Sequence, residues 1–224
     1  MQATPHIMSR YDKDLGKLKR RILSMGTQVI DQMADATEAL DQFDAKEVDR
    51  LVAFDRTING MHQDIYTRSE RLIALRQPMA LDLRQVLLPI NIAHELERIG
   101  DHAKSTAKRA RILAEREPSQ PACDKVREMS EKVQAMLAEA LRAYDESNVE
   151  LAATVRETDL TIDQINKDVF AMQVATLSDT PEDVEANVHL ILLARGFERA
   201  GDHVVNIARH VHQIVTGIDL KASD

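Results

Sequence analysis

The chain contains no tryptophan, a single cysteine, and aromatic residues at only 3% of its positions. Aromatic and β-branched runs that build strands are therefore scarce, which excludes a sheet-rich fold. One thiol, Cys123, excludes an internal disulfide framework and fits a reducing compartment. Its place beside the Pro118–Pro121 stretch predicts an exposed thiol without a catalytic partner. Glycine and proline are also sparse, at 7 and 6 of 224 residues, so turns are few and the elements between them long. No stretch approaches the ~18 uninterrupted apolar residues of a membrane span, and the N-terminus lacks an apolar core of signal-peptide length. A cytoplasmic protein without direct membrane insertion is expected. The net charge of −8 is spread along the chain, and Lys17–Arg21 is the one basic cluster, read as a solvated helix face. Nucleic acid is thus not an expected partner, because that binding draws on clustered Lys and Arg.

What is abundant is Ala, Leu, Glu, Arg, Met and Gln, residues that lose little side-chain freedom in a helix. An all-α fold follows. Its organisation is set by an internal repeat. A shift of 104 residues aligns Met25 with Met129, Val29 with Val133, Met33 with Leu137, Ala36 with Ala140, Asp55 with Asp159 and Asp64 with Asp168. A shift of 101 then aligns Glu97-Arg98-Ile99-Gly100-Asp101-His102 with Glu198-Arg199-Ala200-Gly201-Asp202-His203. Each copy reads as three helices. The first copy predicts helices over 7–43, 45–75 and 79–114, with Asp44 as an N-cap and Gln77-Pro78 as a breaker. The second predicts helices over 122–145, 149–177 and 182–215, with Asp179 or Thr180 as the last cap and Pro181 in the first turn. Pro89, inside the third helix, removes one backbone hydrogen bond and is expected to bend it. The plan is two tandem three-helix bundles, six long helices in an elongated molecule related by a pseudo-twofold axis: residues 1–116, a linker at 117–121, and residues 122–224.

Chemistry concentrates in the duplicated Glu-Arg-Ile/Ala-Gly-Asp-His run. Glu97 and Asp101 are four apart, so they sit about 40° from one another on a helix, one turn apart. Glu198 and Asp202 repeat this, and the second helix of each copy adds Asp55 with Asn59 and Asp159 with Asp163. Glu97 continues the apolar stripe of Val86, Ile90 and Ala93, and Glu198 that of Ile191 and Ala194. These acids therefore face a helix seam, where an unpaired carboxylate is costly. Two readings satisfy them. Facing oxygen pairs suit a hard or borderline divalent metal ion; alternatively Arg98, Arg199 and Lys104 close interhelical salt bridges without metal. Gly100 and Gly201 predict close approach of a neighbouring helix. His102 and His203 lie about 140° around from the glutamates and read as surface or packing residues. Asp64 and Asp168 point away from the acid face, and His62 lies near it.

The runs Gln77-Pro78-Met79-Ala80-Leu81-Asp82-Leu83-Arg84, Glu97–His102 and Glu198–His203, with the duplicated three-helix plan, resemble the PhoU family over nearly the whole chain. The resemblance implies a non-enzymatic, commonly dimeric regulator that represses the phosphate-starvation response when phosphate is plentiful. It implies two partners, the ATPase subunit of the phosphate ABC transporter and a phosphate sensor histidine kinase. It further implies iron or zinc, with magnesium or manganese as other candidates, at Asp55, Asn59, Glu97, Asp101, Asp159, Asp163, Glu198 and Asp202. Asn59 departs from a fully acidic pattern, so weaker metal binding is expected in the first half.

Rival readings are a ferritin-like di-metal enzyme, a metal-free helical scaffold, and a phosphotransfer module built on His94. The first uses Glu-x-x-His pairs, and no Glu here has a His three residues later. The third belongs to four-helix domains rather than a duplicated three-helix plan.

Overall fold

A computed structural model describes residues 5–116, 118–176 and 184–218, with side chains from Arg10 onward. Among them are six α-helices: α1 (Pro5–Glu38), α2 (Ala45–Arg76), α3 (Leu81–Leu113), α4 (Gln120–Glu146), α5 (Val149–Thr176) and α6 (Val184–Thr216). Local chemistry accounts for their ends. Asp44 caps α2, its carboxylate accepting the Lys46 backbone N–H at 2.8 Å. Gln77 adopts the left-handed conformation ahead of Pro78 and stops the same helix. Asn148 caps α5, accepting the backbone N–H groups of Glu150 and Leu151 at 3.0 and 3.2 Å. The helix α3 continues through Pro89. The expected turn at Asp179, Thr180 and Pro181 lies outside the described residues.

The helical period places Leu18, Ile22, Met25, Val29, Met33 and Ala36 of α1 in the core. Their repeat counterparts on α4, including Val126, Met129, Val133, Leu137 and Ala140, are buried as well. Each such large side chain contributes about 1.5–3 kcal/mol of apolar burial.

Contacts between helices are the same in both halves: α1, α2 and α3 pack on one another, as do α4, α5 and α6. Two further contacts join the halves, α1 with α4 and α3 with α6. Each of these pairs a helix with its own repeat counterpart, as a twofold axis would. Thus α1, α3, α6 and α4 close a four-helix ring, and α2 and α5 flank it. One apolar cluster runs through both halves, from Leu18 to Val211. The repeats share a core.

Two expectations are revised. The helix α4 begins at Gln120, inside the expected 117–121 linker, because a helix's first turn has no intrahelical use for its N–H groups and so accepts Pro121. That early start carries Cys123 inward. It is 8% exposed, not the solvent-facing thiol of a linker, and burial pushes its pKa up, with Asp41 and Asp124 adding to the shift.

Candidate functional site

The repeated carboxylates lie in two notches, where α2 meets α3 and where α5 meets α6. In the first, Asp55 is buried at 5% exposure. The Lys104 ammonium of α3 reaches across to it, 2.8 Å from Oδ2, and also stands 3.5 Å from Asp101 Oδ1 on its own helix. Asn59 donates to the same Asp55 oxygen at 3.2 Å. Arg98 lies 3.6 Å from Asp101. Glu97 is half-buried on the same helix, and its charge acts on His62, whose pKa is nonetheless lowered, chiefly by burial. The His62 and His94 rings lie 6.1 Å apart. Of the cations weighed from the sequence, Lys104 bridges the seam.

The second notch has the same plan and a different balance. All four positions, Asp159, Asp163, Glu198 and Asp202, are acidic, and the position equivalent to Lys104 is Val205. Asp159 is pushed up to about 6, first by burial and then by the charges of Asp163, Asp202 and Glu198; Arg156 opposes the shift. Glu198 is raised by burial and by Asp202. Asp202 is raised by burial and by Asp163. Groups that raise one another in this way carry more negative charge than their surroundings offset. Glu198 Oε2 is buried with no hydrogen-bond partner, an uncommon state for a polar atom.

The glycines between the acids act as expected. A Cβ on Gly201 would stand 2.9 Å from Asp159 Oδ1, so only a bare backbone lets that carboxylate settle onto α6. A Cβ on Gly100 would meet Ile58 at 3.2 Å. Side chains in each notch are within electrostatic reach, yet no group of three or more His, Cys, Asp or Glu among the described residues converges closely enough to hold a metal ion as it stands.

A further polar cluster fills the α3–α6 seam. Glu95, at 9% exposure, meets His203 Nδ1 at 2.7 Å, Asn206 Nδ2 at 3.4 Å and His210 Nε2 at 3.8 Å. Burial alone would raise its pKa, but His203, His210 and Asn206 hold it down to about 2. The His102 and His203 rings are 5.8 Å apart across the pseudo-twofold. His102 falls to about 4, through burial and then the charges of His203, Arg98 and Arg199. His102 packs in the seam, whereas His203, expected to be a surface or packing residue, is a polar partner of the buried Glu95. Glu95 was not singled out from the sequence, although its position in an Ile92, Leu96, Ile99 frame marks an acid headed for the core.

Comparisons with known proteins converge. The family model for the PhoU domain matches residues 22–110 and 126–211. A phosphate-specific transport system accessory protein PhoU homolog of Caulobacter vibrioides is 34% identical over 217 residues, spanning 97% of this chain and 94% of that protein. The homolog of Pseudomonas aeruginosa is 34% identical over 218 residues, spanning 97% and 90%. The crystal structure of PhoU from Pseudomonas aeruginosa matches with a TM-score of 0.88 at 33% identity, over 93% of this chain and 100% of that one. That of the phosphate transport system regulatory protein PhoU from Streptococcus pneumoniae matches at 0.87 and 25% identity, over 94% and 99%.

Proposed function

The chain belongs to the PhoU family, and from that premise we propose that it is an accessory regulator of phosphate-specific transport. It restrains the phosphate-starvation response when phosphate is plentiful, by linking the ATPase subunit of the phosphate ABC transporter to a sensor histidine kinase at the cytoplasmic face. A non-enzymatic role and a homodimer are part of this reading. The observation that carries it is likeness along nearly the entire chain, not one motif, to proteins named for that transport system. No helix among the described residues is long and apolar enough to cross a membrane, so contact with membrane partners falls to the helical surface.

The reading includes a metal ion, iron or zinc before magnesium or manganese, at the second notch. The donor chemistry suits such an ion, with four carboxylates on two facing helices, one buried oxygen without a partner, and no ammonium at the Lys104 position, although the carboxylates would have to draw closer to close on it. Asp159 and Asp163 would hold the ion from α5, and Glu198 and Asp202 from α6. When bound, it supplies positive charge that neutralises the acids and joins the two helices. A metal-free scaffold is the second reading, and the Lys104 bridge of the first notch favours it locally.

The test is genetic. Cells lacking their own copy receive the full chain together with a phosphate-starvation reporter. The reporter is expected to be silent in phosphate-rich medium and active without the chain, and the tagged chain is expected to co-purify the transporter ATPase and the kinase. A reporter indifferent to the chain would refute the proposal.

A further inference from the structure

The two notches are copies of one design, yet they balance their charge differently. In the first, an α3 ammonium already lies between the acids of two helices: Lys104 contacts Asp55 at 2.8 Å and Asp101 at 3.5 Å. Its side chain is 27% exposed and that of Asp55 8%, so the pair is sheltered from water. Asn59 occupies the position that Asp163 holds in the second copy, and its amide donates to Asp55. One negative charge is removed there and one positive charge added. At the second notch the substitutions run the other way: Asp163 restores the fourth acid, and Val205 is half-buried against the core where Lys104 has its counterpart.

An ion entering the first notch would have to take Asp55 from Lys104. That would strand the ammonium, partly buried, beside a second cation, and like charges at close range in a sheltered site repel strongly. The second notch presents no such competitor at the equivalent position.

We infer that the first notch supplies its own cation, the Lys104 ammonium, and takes no metal ion, so that any metal centre the chain has is a single one, at Asp159, Asp163, Glu198 and Asp202. The single-centre part rests on the metal reading proposed above. The Lys104 part is independent of it.

Two measurements on the full-length protein separate them. The first is thermal melting after chelation. Replacing Lys104 by Val, its repeat counterpart, is expected to lower the metal-free melting temperature by about 2–6 °C. The reverse exchange, Val205→Lys, is expected to raise it. Should Lys104→Val fail to fold, Lys104→Met keeps the apolar stem and serves instead. The second is zinc content after loading and desalting. Asp159→Ala with Glu198→Ala is expected to abolish zinc uptake, and Asp55→Ala with Glu97→Ala to leave it unchanged. Lys104→Val is expected to gain a second zinc load, and Val205→Lys to lose the only one. Equal loss of zinc from the two acid-to-alanine pairs would overturn the single-centre part. Wild-type protein that takes up no zinc would overturn that part together with the metal reading. A Lys104→Val protein that melts with the wild type would overturn the Lys104 part whatever the zinc result.

Discussion

Asp55 and Asp159 occupy the same position in the two repeats, and the same isosteric change should move stability in opposite directions. At Asp159 the carboxyl is raised from 3.8 to about 6 by burial and neighbouring acids. An acid raised in the folded state lowers stability above that pKa, and the loss is relieved as pH falls from about 6 towards 3.8. Two units correspond to about 3 kcal/mol. The group is half-buried, and screening by water reduces this to about 1–2 kcal/mol. Asp159→Asn removes the charge while keeping the shape, so at pH 7.5 the metal-free protein should gain that amount. For a chain of this length the gain is a melting temperature about 2–8 °C higher. The advantage should shrink as the pH is lowered through 6 and vanish near 4. Asp55→Asn instead takes away the nearer of the two acids at Lys104 and leaves a sheltered ammonium with Asp101 alone, costing about 1–3 kcal/mol. Scanning calorimetry after chelation, over pH 4 to 7.5, reads both. Destabilisation by both substitutions, or a pH-independent Asp159→Asn effect, would refute the charge imbalance argued for the second notch.

Two other perturbations probe the rest of the molecule. Glu95, held at about 2 by His203, His210 and Asn206, contributes stability that is complete above its unfolded value of 4.5 and lost as pH falls towards 2. Glu95→Gln should therefore cost about 1–3 kcal/mol near neutral pH, with the deficit against wild type closing below pH 4.5 in acid-denaturation curves; a deficit constant in pH would place the role in packing alone. The Cys123 thiol, buried with its pKa pushed up, should resist a thiol-disulfide reagent at pH 8 and react fully in denaturant, and rapid labelling of the native protein would contradict the placement of α4.

The sequence made the six helices legible because each carries a long apolar period, and the buried set on α1 and α4 is the one that period selects. The acid seams were legible because Glu97 and Glu198 continue apolar stripes. What the helical period cannot express is how the halves dock. Reading two bundles side by side leaves the core divided, whereas contact of α1 with α4 and of α3 with α6 merges it. Glu95 escaped notice for the same reason: its partners His203, Asn206 and His210 are more than a hundred residues away, on a helix that only the docking brings near. The linker was misplaced at its end because two prolines look like a break, although one of them stands where a helix tolerates it.

The difference between the notches was present in the repeat alignment all along, since a shift of 101 sets Val205 opposite Lys104. From the sequence, Lys104 stood with Arg98 and Arg199 as one of several cations that could close a salt bridge. Spacing alone could not rank them, because a long side chain three or four positions away reaches many places. The structure ranks them by where the ammonium ends, at the buried Asp55 of the opposite helix. With that contact, duplication acquires a physical consequence. The α2–α3 seam has its counter-charge attached to the chain, in the Lys104 ammonium. The α5–α6 seam has valine at that position, and although Arg156, Arg195 and Arg199 act on its acids, burial and mutual repulsion still raise them, so a proton taken up there relieves the seam. Both seams border one shared core, so opposite signs for Asp159→Asn and Asp55→Asn report the charge balance at each seam rather than a difference in the core behind it.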